Sequence, residues 1–119
     1  MKQSSVEERK ILLDAELKKI VEVLKQEYDP EKIILFGSLL DGNIHEYSDI
    51  DLLIIKKTSK RPIDRILEVA QIINPLLGVD LFVYTPEEFD TLVNEKYTFF
   101  TNILKNSKVL YEKRNSRVD

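Results

Sequence analysis

The stretch SDIDLLII, Ser48 to Ile55, does most to limit what this chain can become. From Ile50 onward it is aliphatic but for one acid, and so reads as a short buried strand. Yet Asp49 and Asp51 stand at its start, two residues apart. On a strand that spacing sends both side chains to one face, with Cα atoms roughly 6.5–7 Å apart. Ile50 and Leu52 face the other way. Carboxylates there are costly to desolvate and repel each other, which raises the pKa of at least one unless positive charge lies between them. A divalent cation, which takes hard oxygen ligands, relieves both costs.

The rest of the chain supplies the frame for that strand. Ser5-Val6-Glu7-Glu8 reads as a capping box, followed by Leu13, Leu17, Ile20, Leu24 and Tyr28 at helical spacing. Asp29-Pro30 stops this helix. KIILFG predicts a buried strand closing on Gly37, and SLLDGNIHEY a loop holding at most one helical turn. After the DxD strand, Pro62 suits a helix start, with Ile63, Ile66, Leu67, Ala70 and Ile73 as its apolar face and Asn74-Pro75 as its end. GVDLFVY predicts a third strand. Thr85-Pro86-Glu87-Glu88 is a second capping box, and Phe89, Leu92, Val93, Tyr97 and Phe100 continue one helix towards Leu104. KVLYE reads as a last short edge strand, and residues 113–119 as a frayed tail. The class is α/β (α+β): a small mixed sheet with helices packed on it. At 119 residues it forms one domain, 1–119.

Composition removes several functions. The chain has no cysteine and one histidine, so disulfides, thiolate sites and multi-histidine zinc sites are excluded. A net charge of −3 does not suit broad nucleic-acid binding, which needs an excess of Lys and Arg. No apolar run spans a membrane and no signal segment opens the chain, so a cytoplasmic location is expected. With only three glycines, neither GxGxxG nor GxxxxGK[ST] can be written.

A third acid, Asp80, sits inside the apolar strand GVDLFV and would join Asp49 and Asp51 if the two strands are neighbours. Gly37 permits a sharp turn, and Ser38 offers a hydroxyl and an N–H that suit a phosphate. Taken singly, these residues have plainer uses. Asp49 could cap a turn, Asp51 pair with a lysine, Asp80 enter a strand, and Gly37-Ser38 make a simple turn. Together, a phosphate-holding turn beside acids is the equipment of metal-assisted phosphoryl or nucleotidyl transfer.

Gly37-Ser38, ten residues, then Asp49-Ile50-Asp51 resembles the GS-x10-DxD signature of the DNA polymerase beta-like nucleotidyltransferase superfamily. The chain is most similar there to the minimal nucleotidyltransferase (MNT) domain, over about residues 29–112, including Gly42, Asp80 and the terminal LYE. The resemblance implies the nucleotidyltransferase fold, ATP as donor, and Mg2+ (two ions) held by Asp49, Asp51 and Asp80, the catalytic residues. Gly37 and Ser38 would hold the triphosphate. It also implies a partner: MNT proteins often pair with a HEPN-family ribonuclease toxin, and some of these antitoxins adenylylate a tyrosine of it. One departure stands out. Many relatives carry Arg inside GSxxxG, where this chain has Asp41, a change expected to weaken nucleotide binding.

Two alternatives remain open at this level. One is a non-catalytic antitoxin that neutralises its partner by complex formation. The other is a small-molecule nucleotidyltransferase. Lys56, Lys57, Lys60, Arg61 and Arg65 read as a solvated basic cluster, His45 as exposed, and Phe89, Tyr97, Phe99 and Phe100 as core.

Overall fold

The computed structural model describes residues 2–45, 48–95 and 98–114; at 2–4 and 99 only the backbone is described. The elements are α1 (Lys2–Glu27), β1 (Lys32–Phe36), α2 (Ser38–Asp41), β2 (Ile50–Ile55), α3 (Pro62–Ile73), β3 (Val79–Tyr84), α4 (Pro86–Asn94), α5 (Thr98–Lys105) and β4 (Ser107–Glu112). The four strands form one mixed sheet in the order β3-β2-β1-β4. β1 runs antiparallel to β2 and β4, while β2 and β3 are parallel and joined by α3. A parallel pair needs such a crossover.

Strand alternation divides the molecule into two layers. Ile50, Leu52 and Ile54 face a core shared with Leu13, Ile20, Leu24 and Tyr28 of the first helical segment and with Val69 and Ile73 of α3. Leu53, Ile55 and Ile34 face a second cluster closed by Phe100, with Phe82, Tyr84, Phe89 and Leu92 packed against it. β2 is therefore covered on both faces, which explains its nearly unbroken apolar run. Asp51 shares its parity with Leu53 and Ile55, and Asp80 with Phe82 and Tyr84, so both acids lie on the α4–α5 side, at the sheet end those helices leave open.

Several expectations hold in detail. α3 begins at Pro62 and ends at Asn74 in the left-handed region (φ 41°). Thr85 and Glu88 form the reciprocal capping box of α4. KVLYE lies in the edge strand β4. His45 is exposed and Phe100 buried, while Tyr97 lies outside the described residues.

Four expectations need correction. The Ser5 capping box does not open α1, because the helix already runs from Lys2. Lys and Gln propagate a helix well, so the motif marked a permitted start and not a forced one. The single helix expected from Thr85 to Leu104 is two: α4 ends at Asn94, and α5 begins at Thr98 and directs Phe100, Ile103 and Leu104 onto the sheet. The basic cluster is solvated at Lys57, Lys60 and Arg61, as expected, but not at Arg65. Arg65 is buried, donating to Lys60 O and Val83 O and to both oxygens of Glu88, and Lys60 and Arg61 pair with Glu68 and Asp64. The tail is also tied at its root, where Lys113 N donates to Glu31 O at 2.9 Å and its ammonium meets Asp29 at 2.8 Å.

Candidate active site

The parallel pairing of β2 and β3 places Asp51 opposite Asp80, and the antiparallel pairing of β1 and β2 places Phe36 opposite Asp51. The chain turns immediately after Phe36. Gly37 adopts φ 83°, and a Cβ built there would lie 2.0 Å from Asp51 Oδ2. This is where glycine is required, both for the left-handed backbone and for the carboxylate pressed against it. On the other flank, a Cβ at Gly78 would fall 2.4 Å from Asp49 Oδ1, and Gly78 O accepts the hydrogen bond of Ile50 N at 3.0 Å. Each motif aspartate thus rests against a glycine.

Asp51 and Asp80 are hydrogen-bonded to each other through their side chains. Burial pushes the Asp51 carboxyl up to about 7, helped by that hydrogen bond and by the negative charges of Asp80 and Asp49. Among the described residues no lysine or arginine forms an ion pair with Asp51 or Asp80.

Asp49 stands differently. It precedes β2, which starts at Ile50, and its Oδ1 lies 3.5 Å from Nη2 of Arg9 on α1. Arg9 Nε also donates to Ser48 O at 3.0 Å. The structure therefore brings Asp51 and Asp80 into contact and holds Asp49 beside them, turned to an arginine. Among the described residues no three acids are gathered closely enough to cage one metal ion. The donor chemistry nonetheless suits a hard divalent cation: Asp51 and Asp80 are crowded carboxyls in side-chain contact, with Asp49 nearby, and a cation would offset their mutual repulsion.

Gly37-Ser38 lies next to the acid pair. Ser38 opens the four-residue α2, with Leu40 N and Asp41 N donating to Gly37 O. Asp41 is exposed and its carboxylate accepts Asn43 N at 3.0 Å, closing an Asx turn. The largest of the cavities described, about 460 Å3, is lined by Lys32, Ile55, Phe89 and Glu112 at the opposite end of the sheet. Volume does not mark the chemistry here; crowded like charge does. Arg9 is the site residue that sequence reasoning did not find. It lies 39 positions before Ser48, and nothing local to either residue signals the contact.

Comparison with known proteins bears on the family and the fold. Residues 18–116 match the family described as polymerase beta, nucleotidyltransferase. Two Methanocaldococcus jannaschii proteins provisionally named protein adenylyltransferase are similar. One is 33% identical over 99 residues, covering 80% of this chain and 94% of the relative. The other is 31% identical over 110 residues, covering 87% and 75%. A solved structure of a provisionally named nucleotidyltransferase from Sulfolobus solfataricus superposes with a TM-score of 0.62 at 26% identity, covering 92% of this chain and 88% of that one. A toxin–antitoxin structure with AMP-PNP shares the fold at a TM-score of 0.55 and 24% identity, covering 82% and 73%. With the Gly-Ser turn, the paired strand acids and this match over most of its length, the chain belongs to the polymerase beta nucleotidyltransferase family.

Proposed function

We propose that the protein transfers AMP from ATP to a hydroxyl, most specifically a tyrosine hydroxyl of a HEPN-type toxin, and so acts as an antitoxin. The observation that carries this is the Asp51–Asp80 carboxyl pair, packed against Gly37 where β1 gives way to α2. Protein adenylyltransferase names among the relatives support the AMP-transfer reading, and the shared fold of a toxin–antitoxin structure is in keeping with a toxin partner.

In this reading the hydroxyl oxygen attacks the α-phosphorus, the bond to pyrophosphate breaks, and the hydroxyl proton passes to the Asp80 carboxylate. Asp49, Asp51 and Asp80 would hold Mg2+, which when bound offsets the triphosphate charge and makes the attacking oxygen more acidic. Gly37 lets the backbone approach the β- and γ-phosphates, and Ser38 offers its N–H and hydroxyl to them. Incubation of the protein with its toxin, ATP and Mg2+, followed by mass spectrometry, should show one added AMP on a tyrosine. Asp51→Asn and Asp80→Asn should each remove it, with a loss of at least about 10²-fold. A toxin left unmodified by the wild-type protein would refute the proposal.

Asp41 favours a second reading. By the resemblance it stands where a base is expected, and its carboxylate is committed to its own turn. In that case the protein neutralises its partner by binding alone. Growth rescue by an Asp49→Asn, Asp51→Asn double variant equal to that by wild type would decide for it.

A further inference from the structure

We propose that Arg9 is a resident counter-ion of Asp49 that competes with a divalent cation for that carboxylate and yields it when the cation binds. This rests on the reading of Asp49, Asp51 and Asp80 as the cation site. Arg9 belongs to the part of α1 that precedes the family match at residue 18. One turn later Leu13 is fully buried, followed along the same stripe by Ile20 and Leu24, so the helix carrying Arg9 is firmly seated on the sheet. The guanidinium divides its bonds. Its Nε donates to the Ser48 carbonyl at 3.0 Å, a neutral anchor that fixes it beside the turn. Its Nη2 reaches Asp49 Oδ1 at 3.5 Å, long for a charge-assisted hydrogen bond.

The two ends of this ion pair differ in exposure: 21% for the Arg9 side chain and 43% for that of Asp49. A long pair on an exposed carboxylate is weak and exchangeable. The Ser48 bond would hold Arg9 in place after Asp49 turns away. Without a cation, Asp49 has the positive charge of Arg9 beside it. Arg9, anchored on Ser48 O, would oppose a dication at this carboxylate as a fixed like charge.

The sign of one measurement separates this role from simple support of the turn. Mn2+ binding to the nucleotide-free protein is measured by the electron paramagnetic resonance of the free ion. Arg9→Gln should bind Mn2+ roughly 3- to 10-fold more tightly than wild type, because a positive neighbour is removed. Arg9→Lys, which keeps the charge, should stay near the wild-type value. If Arg9 merely supports the turn, Arg9→Gln would bind more weakly or unchanged, and the proposal falls. Asp51→Asn serves as the control on the site itself. Loss of Mn2+ binding in that variant confirms the site, whereas unaltered binding, or none in wild type, overturns the metal-site reading and with it this proposal. Circular dichroism on each variant verifies the fold.

Discussion

At the scale of single residues, the acid pair makes stability depend on pH. In the folded chain Asp51 keeps its proton to about pH 7, while an ordinary Asp loses it near 3.8. Between those values the unfolded chain binds fewer protons than the native one, so stability falls as pH rises through this window. The stability is whole below about pH 3.8 and lost by about pH 7. Asp51→Asn, which needs no proton, should therefore stabilise the metal-free protein at pH 8 by on the order of 2 kcal/mol after solvent screening, while abolishing transfer. Urea denaturation at pH 5 and pH 8 tests this: the gain should appear at pH 8 and shrink at pH 5. Gly37→Ala is expected to do the reverse, costing about 2–3 kcal/mol, because its methyl group would meet Asp51 on a backbone with φ 83°. A Gly37→Ala variant with an unaltered urea midpoint would contradict this packing.

At the scale of elements, α3, β3 and α4 are clamped by one buried charge. Arg65 is 5% exposed and spans Lys60 O, Val83 O and both oxygens of Glu88. Its guanidinium holds the Glu88 carboxyl below the usual range, aided by the Thr85 bonds of the capping box. A depressed acid contributes stability that is present above its unfolded pKa, near 4.5, and is lost as pH falls through the folded value. Glu88→Gln should destabilise by about 1–2 kcal/mol at pH 7, since it leaves Arg65 buried with neutral partners only, while solvent screens the half-exposed Glu88. The penalty should narrow in acid, as wild-type Glu88 is protonated too. Thermal melts at pH 7 and pH 3.5 would show it, and a constant difference would argue against the clamp. Replacing Thr85 by Ala removes one cap bond and should cost about 1 kcal/mol.

At the scale of the whole molecule, the strand order makes the site. β2 is central enough to be buried on both faces, and its first residues emerge beside the start of β3 and the end of β1. Asp51, Asp80 and Gly37 come from three separate strand ends and meet only because of that order. Binding of ATP with Mg2+ to the folded form alone should raise the melting temperature with ligand concentration, and Asp51→Asn should abolish the rise.

The chain's own pattern sufficed for much of this. Apolar runs marked β1 to β4, Pro62 and Asn74 bounded α3, and Thr85-Glu88 opened α4, because each signal lies within a few residues of what it specifies. The spacing of Gly37-Ser38 and Asp49-Asp51 pointed to the candidate site for the same reason. The break between α4 and α5 was not legible, since the periodicity of Phe89, Leu92 and Phe100 fits one helix, and packing on the sheet selected two. Local pattern could not decide that Asp80 lies opposite Asp51, that Arg65 is buried while its basic neighbours are not, or that Arg9 reaches Asp49. Those facts depend on pairing between distant segments, and only the assembled sheet and the helices packed on it set which charges meet.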